Sequence, residues 1–590
     1  MCTYVTNSTT AATPTVMTIG LQIGAGTMDT VSLGNAVANS GERYGYRLVR
    51  DMTSRFTSDW SGTSQTVTCR VNISSIATAN HGFKLRITYD YDDTASTHIK
   101  TVRIPIESTR ATLTTSAQTL GGATAIPALK NGYFPESSVT IRNAVVELYG
   151  NELSSAAVAT LTMDYGGASS TACWLSTNTT INSDCFVHGM YDITAQALTA
   201  ATALNATSTT TTGRFGNIGG WITVTYEFDP TSTTIFNSLF IGAFDTAGWM
   251  GGTTSTDADA WGRTIYIEEP GTITLMESAV ILTMVDSGGF TCNVAIGAQA
   301  NQAYTVSAGG VQCCNYTLCH RIDAGGQRGT AFATLARGVN SYLATVYSGT
   351  AQAGWNLAGC MILNYTSGLS AQGVGAHAQS RYLSILNTVG TTSLNNTSTA
   401  HAPAIPETDY WLVGACIELH AVTTALAAGA QAVQAERAAG EGEGLGWEPL
   451  FVGQYRSDNE AMTTIQWGAS RRAWRRWPQD SELSDRMNIE TARLFRIDTN
   501  PASGVALGLW YTYHTISYSI SGTITNSAGG TVTINAHKSD TGEKIGSTTR
   551  SGNGSYTIPW WDNVANVYVE ASEDSTHLGR STDSTATGSP

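Results

Sequence analysis

Two short apolar phrases return along this chain in phase. The first is Leu85-Arg86-Ile87-Thr88-Tyr89-Asp90, echoed by Ile222-Thr223-Val224-Thr225-Tyr226-Glu227 and by Met361-Ile362-Leu363-Asn364-Tyr365. Its tyrosines stand 137 (226 − 89) and then 139 (365 − 226) residues apart, and Leu509-Trp510-Tyr511-Thr512-Tyr513 makes a fourth, 146 further on (511 − 365). The second phrase is Ala144-Val145-Val146-Glu147-Leu148, then Ala279-Val280-Ile281-Leu282-Thr283, then Ala415-Cys416-Ile417-Glu418-Leu419, with starts 135 (279 − 144) and 136 (415 − 279) residues apart. Two phrases keeping one beat with little identity between copies predict one domain type used several times in tandem. Chains built this way serve as spacers, shells or stalks, so the sequence constrains architecture more than chemistry.

At 590 residues the chain exceeds one hydrophobic core and has length for four or five domains. Hydrophobic residues make up 42%, enough for the domains to pack, while charged residues make up only 13%, about half the usual share. Polarity comes instead from Thr, Ser, Asn and 60 glycines. Threonine suits a pleated, half-buried surface and Gly and Asn punctuate turns, which is the composition of an exposed all-β protein. A net charge of −14 argues against a nucleic-acid surface as the main function. No run of eighteen apolar residues is present to span a bilayer as a helix. The opening Met1-Cys2-Thr3-Tyr4-Val5-Thr6 has neither the basic nor the apolar region of a secretory signal, so a surface-like composition without export is the expectation.

The fold class expected is all-β: tandem Ig-like or jelly-roll-type β-sandwich units, with a minor helix in the fourth. Alternating runs such as Val16–Ile23 and Thr66–Val71 lie in a first unit, 1–107, closed by Val102-Arg103-Ile104-Pro105-Ile106-Glu107. The second unit, 108–268, closes on the matching Thr264-Ile265-Tyr266-Ile267-Glu268. The tyrosine-to-closing-Glu distance grows from 18 (107 − 89) to 42 (268 − 226), which predicts an inserted loop at 235–260. A third unit spans 269–402. The fourth, 403–515, holds the alanine-rich Ala421–Ala439, read as a helix on propensity, and Ser481–Met487, read as a short one with an N-cap serine. A module at 516–574 and a polar, mobile tail at 575–590 complete the chain.

The last module carries Ser521-Gly522-Thr523-Ile524, Thr531-Val532-Thr533-Ile534-Asn535-Ala536 with Thr541-Gly542-Glu543, and Gly552-Asn553-Gly554-Ser555-Tyr556-Thr557-Ile558-Pro559. This order of phrases resembles the carboxypeptidase-regulatory-like, transthyretin-like β-sandwich over about the last 60 residues. That resemblance implies a β-sandwich of accessory or adhesive type. In architecture and composition, the whole chain resembles bacteriophage tail, fibre or head-decoration proteins. This resemblance implies a virion exterior protein, made in the host cytoplasm, with other copies of itself and other virion proteins as partners.

Chemistry-bearing motifs are few. The chain has no G-x-S-x-G, H-E-x-x-H, P-loop or dinucleotide fingerprint, so no catalytic residue and no cofactor are expected. Cys313-Cys314 followed by Cys319-His320 lacks the C-x₂-C pairs of a zinc site, and Cys173 with Cys185 could bridge, but ordinary free thiols are the first reading and no metal is expected. The basic run Arg471-Arg472-Ala473-Trp474-Arg475-Arg476-Trp477 could pair with phosphates and stack on bases. A subunit interface is the favoured reading, because Arg and Trp are enriched where interfaces bury anchors. Phe244, Asp245, Trp249 and Met250, among the glycines of the expected loop, and the pair Trp560-Trp561 are the other binding candidates. Their expected ligands are another subunit or a host-surface glycan or protein. The alternative to a virion protein is a cell-surface adhesin or carbohydrate-binding stalk.

Overall fold

The computed structural model describes the strands named below and the residues joining or flanking them at 24–28, 65–66, 97, 107–108, 120, 129, 133–139, 193–194, 229–233, 272, 323–324, 327–328, 330–332, 336, 525, 527–530, 539, 542 and 552–553. The fold is all-β; among the described residues only Thr194 is helical.

Six strands come first: β1 (Cys2–Ser8), β2 (Met17–Ile23), β3 (Asp29–Leu33), β4 (Gly45–Arg50), β5 (Val67–Ile73) and β6 (Ala79–Leu85). They form two sheets, ordered β4-β1-β6 and β3-β2-β5.

The next stretch holds β7 (His98–Ile106), β8 (Gln118–Thr119), β9 (Thr140–Glu152), β10 (Val158–Tyr165), β11 (Ala168–Ser169), β12 (Trp174–Thr177), β13 (Cys185–Asp192), β14 (Asn205–Ser208) and β15 (Phe215–Phe228). Their sheets run β13-β9-β15-β7 and β11-β10-β14-β8, with β12 also on β10. Then come β16 (Thr234–Asp245), β17 (Asp259–Ile267), β18 (Ile273–Asp286), β19 (Phe290–Ile296), β20 (Gln302–Val306), β21 (Cys314–Ile322), β22 (Ala333–Leu335), β23 (Gly338–Ser348) and β24 (Trp355–Gly368). These make the sheets β16-β24-β18-β21, with β22 also on β18, and β17-β23-β19-β20. The third stretch holds β25 (Gln379–Val389), β26 (Leu394–Asn396), β27 (Tyr410–Val422), β28 (Ala430–Glu436), β29 (Glu448–Gln454), β30 (Ser470–Trp477), β31 (Leu494–Ile497) and β32 (Gly504–Thr515). Its sheets are β25-β32-β27-β30 and β26-β31-β28-β29.

One rule generates all six of these sheets. Number the principal strands of each stretch from one to eight, with the first of β10's two short partners, β11, as the fifth in the stretch from β7, and β22 left out of the next. One sheet is then ordered first-eighth-third-sixth, the other second-seventh-fourth-fifth, and every pairing is antiparallel. This is the strand order of a jelly roll rather than an immunoglobulin sandwich. The two phrases of the sequence occupy its two central positions. Tyr226, Tyr365 and Tyr511 lie on the eighth strands, and the Ala144, Ala279 and Ala415 phrases lie on the third strands beside them. Val224 stands opposite Ala144, Ile362 opposite Ala279 and Tyr511 opposite Ala415. Tyr89 lies outside the described residues.

The last seven strands are β33 (Tyr518–Ile524), β34 (Thr531–Lys538), β35 (Lys544–Ser551), β36 (Gly554–Trp560), β37 (Val567–Glu573), β38 (Thr576–Arg580) and β39 (Thr587–Gly588). They make the sheets β36-β33-β39 and β35-β34-β37-β38, a different order. Ile520 and Ile558 from the first sheet meet Val532, Ile534, Ala536, Val567, Val569 and Ala571 from the second in one core. Along β37, buried and half-exposed residues alternate without a break, as a strand with one face on a core requires.

Several expectations need correction. Where it is described, the stretch Ala421–Ala439 is strand and not helix: Ala421 and Val422 end β27, and Ala430–Glu436 form β28 between two partners. Alanine's helix propensity is a weak prior, outweighed here by two-sided sheet pairing. Ser481–Met487 lies outside the described residues. The loop expected at 235–260 is mostly strand where described, since 235–245 belong to β16 and 259–260 to β17. The apparent insertion came from matching a first strand, β7, with a second strand, β17. Measured to the end of β16 instead, the distance from Tyr226 is 19 (245 − 226), close to the 18 between Tyr89 and Glu107. The polar tail contributes β38 and β39, because pairing at a sheet edge needs only main-chain groups.

Candidate functional site: a buried charged seam between two sandwiches

Strand β7 is an edge strand of its sheet, yet its second half loses the alternation of a half-buried strand: Val102 to Ile106 are all buried. Both faces are therefore covered. Part of the cover is the following sandwich, and the main-chain groups on the free edge of β7 meet its side chains. The Arg103 N–H donates to Ser238 Oγ at 3.2 Å, and Asn364 Nδ2 donates to the Arg103 carbonyl at 2.7 Å. Arg328 Nη2 donates to the Pro105 carbonyl at 3.0 Å. Proline is tolerated at this position because it sits on an edge, where no ladder hydrogen bond requires its missing N–H. Side chains thus satisfy an edge that would otherwise be open to another strand.

Around this edge lies a cluster of buried charges. Glu277 is fully buried at a register shift in β18. It accepts hydrogen bonds from Tyr133 Oη (2.8 Å) and Arg328 Nη1 (2.6 Å), with Arg321 Nη1 at 3.8 Å. Arg321 also pairs with Asp323 at 2.9 Å, and its own backbone N–H donates to the Glu107 carboxylate. His320 Nδ1 lies 3.5 Å from the other Glu107 oxygen. Next to these, Ser108 and Cys319 exchange two hydrogen bonds, Ser108 N–H to the Cys319 carbonyl at 2.8 Å and Cys319 N–H to Ser108 Oγ at 2.9 Å. Gly219 permits the close approach of β15 there, since a Cβ would stand 2.6 Å from Ser108 Cα.

A second anchor is Glu136. It pairs with Lys100 and accepts from Tyr226 Oη at 3.1 Å and from the backbone N–H of Phe236 at 2.7 Å. Phe134 stacks on Tyr226 with centroids 4.2 Å apart and meets Phe236 edge-on at 5.6 Å. Ile235 and Phe236 of β16 belong to the same apolar core as Val102, Ile104, Val146 and Val224. The two sandwiches therefore share a core as well as a set of hydrogen bonds across the junction, such as Tyr133 Oη to Glu277 and the Phe236 N–H to Glu136. The Glu277–Arg328 and Arg321–Asp323 pairs lie within the second sandwich and Lys100–Glu136 within the first.

Burial dominates the electrostatics. It holds the phenol of Tyr226 well above its ordinary range, with the Glu136 charge adding to the effect. Tyr133 is raised by burial and then by Glu277. The guanidinium of Arg321 is lowered by burial and by its neighbour Arg328. Burial likewise pushes up the Cys319 thiol, which is free and closed to solvent. A thiol in that state is no nucleophile at neutral pH. The seam joins the two sandwiches through buried polar and charged groups.

Of the residues singled out in the sequence, Phe244 and Asp245 end β16, their backbones opposite Gly359 and Ala358. Trp249 and Met250 lie outside the described residues. Arg471, Arg472, Trp474, Arg475, Arg476 and Trp477 are consecutive members of β30 with Ala473, along the β27 stretch Ala415–Ala421. Trp560 ends β36 opposite Tyr518, and Trp561 lies outside the described residues. These three groups fall on separate sheets. Among the described residues no cluster of His, Cys, Asp and Glu is arranged to hold a metal, and no helix is long and apolar enough to cross a membrane. Sequence reasoning passed over the seam. Its signal was a charge at a position that apolar alternation would fill, as with Glu277 in step with Ile273, Leu275 and Ala279.

No family model matches the chain, and no curated protein matches it. Among solved structures, it is similar to the STIV MCP at 10% identity, covering 48% of this chain and 97% of that one with a TM-score of 0.16. It is similar to the major capsid protein P2 from bacteriophage PM2 at 6% identity, with 46% and 100% covered and a TM-score of 0.14. PNGase F, a glycosylasparaginase from Flavobacterium meningosepticum, stands level with these at 11% identity, 45% and 99% coverage and a TM-score of 0.14. Likenesses this slight, divided between capsid proteins and an enzyme, carry no argument about this chain.

Proposed function

We propose that this chain is a non-enzymatic structural protein of a virion exterior, working as an oligomer. The observation that carries this reading is the strand order repeated three times without interruption, in units at 98–228, 234–368 and 379–515. Jelly rolls are a recurring scaffold of viral capsids, where the sandwich itself is the building material. The seam supports the reading too: a buried charged junction fixes how consecutive units are joined, which a shell or fibre needs and a flexible string of modules does not. The partners on this reading are other copies of the chain and other virion proteins. The element built is a tail, a fibre or a capsid decoration, with Phe244, Trp249, Met250, the β30 arginines and tryptophans, and Trp560-Trp561 as contact or host-attachment residues. The module from Tyr518 onward, resembling the transthyretin-like sandwich, is an accessory end.

The test is assembly. Sedimentation of the purified chain, followed by electron microscopy, is expected to show closed oligomers or a regular lattice. A monodisperse monomer at high concentration that no virion partner recruits would overturn the proposal. A second reading, a carbohydrate-binding stalk, is favoured by the use of the same scaffold in lectins. Saturable glycan binding by a chain that does not assemble would select it.

A further inference from the structure

The contact between Lys100 and Glu136 is built unlike an ordinary ion pair. Lys100 stands on β7 opposite Tyr226 of β15; its side chain is 11% exposed, and that of Glu136 is wholly buried. Two aromatic rings wall the amine, with Nζ 5.4 Å from the centre of Tyr226 and 4.6 Å from that of Phe228. The donors to Glu136 all converge on one of its oxygens. Oε1 takes Lys100 Nζ, Tyr226 Oη at 3.1 Å and the Phe236 N–H at 2.7 Å. Oε2 is buried and, among the described residues, receives no donor. A carboxylate spreads its charge over both oxygens, so leaving one of them dry and unpartnered carries the penalty of an orphaned buried acceptor, larger for a charged group than for a neutral one.

We propose that Lys100 and Glu136 condense into an intramolecular amide, a covalent cross-link between β7 and the segment 133–139. The lone pair of Lys100 Nζ attacks the Glu136 carboxyl carbon, the bond from that carbon to Oε2 breaks, and Oε2 leaves as water with two protons from the ammonium. The third proton stays on the amide nitrogen and Oε1 becomes the amide carbonyl oxygen, so the step needs no oxidant, reductant or further reactant. Each feature of the pocket has a part in it. Tyr226 Oη and the Phe236 N–H are aimed at the oxygen on which negative charge develops, as an oxyanion hole requires. Burial, with the Glu136 charge adding to it, holds the Tyr226 phenol above its ordinary range, so it stays a donor. Desolvation beside aromatic rings favours the neutral, nucleophilic form of an amine. Holding amine and carboxyl in contact removes the entropy cost of their meeting. Two buried charges become one neutral amide and the unpartnered oxygen is lost, so burial favours the product. The bond spans 36 residues and fixes the side chain that also holds the Phe236 N–H of the following sandwich. The proposal rests on this pocket alone and is independent of the virion reading.

Mass spectrometry of the purified full chain is the test. After allowance for any loss of Met1, the intact mass is expected to fall below the sequence mass by one water. Complete tryptic digestion of the denatured chain is expected to give a branched peptide joining residues 87–103 to residues 131–142, with no cleavage after Lys100. Lys100→Arg keeps a cation in the pocket but supplies no amine to condense, and is expected to restore the missing water. The main readout is taken on the unaltered chain, so it stands even if that variant fails to fold. A chain at its full sequence mass, cleaved after Lys100 into linear peptides, would overturn the proposal. A missing water that maps to any other residue would overturn it as well.

Discussion

The junction between the sandwiches at 98–228 and 234–368 and the interior of the last sandwich, 518–588, solve the same problem with opposite materials. The junction buries Arg103, Glu107, Glu136, Glu277, Arg321 and Asp323 alongside its aliphatic and aromatic side chains. The last sandwich closes on eight aliphatic side chains, and its buried Glu573 sits at the rim, bound by Ser527 Oγ (2.8 Å) and the N–H of Ala528 (2.7 Å). Apolar burial is non-directional and tolerates repacking. A seam of buried carboxylates tolerates one arrangement, because any other takes the Tyr133 hydroxyl from Glu277, the Arg321 N–H from Glu107 and the Phe236 N–H from Glu136, all donated across the junction. The contrast therefore separates cohesion within a unit from registration between units.

Removing one member of the seam is the sharpest way to break this comparison. Glu277→Ala leaves Arg321 and Arg328 buried without their shared carboxylate and is expected to cost about 3–5 kcal/mol. Faster hydrogen exchange in β7 and β16, with β34 unchanged, is the check. Replacing Glu277, Arg321, Asp323 and Arg328 together by Leu, Met, Asn and Met should recover most of that stability, since it removes the buried charges as a set and a buried ion pair is often no more stable than a neutral substitute. A quadruple variant as unstable as the single one would remove the reason for assigning the loss to unpaired charge.

Within the last sandwich, Ile534→Ala is expected to cost about 3 kcal/mol, through lost burial and the cavity left behind. The loss should appear in the β34 and β37 amides and spare the seam. A smaller effect belongs to Tyr226→Phe, which removes one hydrogen bond to Glu136 and keeps the stack on Phe134. About 1 kcal/mol is the expected loss, read from denaturant unfolding followed at the seam.

The two regions should also fail at opposite ends of the pH scale. Tyr133 and Tyr226 have raised phenol pKa values, so their stabilisation is complete below the ordinary value, about 10, and is lost as pH climbs through the raised values. Glu573 has a lowered pKa because Ala528 N–H and Ser527 Oγ bind its charged form. Its contribution is complete above the ordinary glutamate value, about 4.3, and is lost as pH falls through the lowered one. Exchange rates across an alkaline and an acid titration should loosen the seam first in one and the Ser527–Gly530 turn first in the other.

The sequence disclosed the period of the fold more faithfully than its borders. The two recurring phrases are the central pair of strands in each first sheet, where packing on both sides holds the apolar pattern most tightly. Nothing in a periodic pattern marks where a unit starts, so β7 read as the end of one unit although it pairs with β15 and opens the next. Alanine content misled at 430–436 because sheet partners lie far away in sequence. The seam was out of reach for a related reason. Glu277, Arg328, Tyr133 and Arg321 come from strands and loops nearly 200 residues apart at the extremes, Tyr133 to Arg328 (328 − 133 = 195), and only the topology brings them together.

The capped edge of β7 has a consequence for how the chain is made. Arg103 receives its last main-chain partner from Asn364, 261 residues later. At a synthesis rate of roughly 5–20 residues per second, the ribosome adds that span in roughly 13 to 50 s. Through that interval the first complete sandwich can fold while the Arg103 carbonyl on its outer strand still lacks the Asn364 amide. A nascent chain stalled or cut before Asn364 would carry a sticky flank, which makes translation through β24 part of the quality control of this protein.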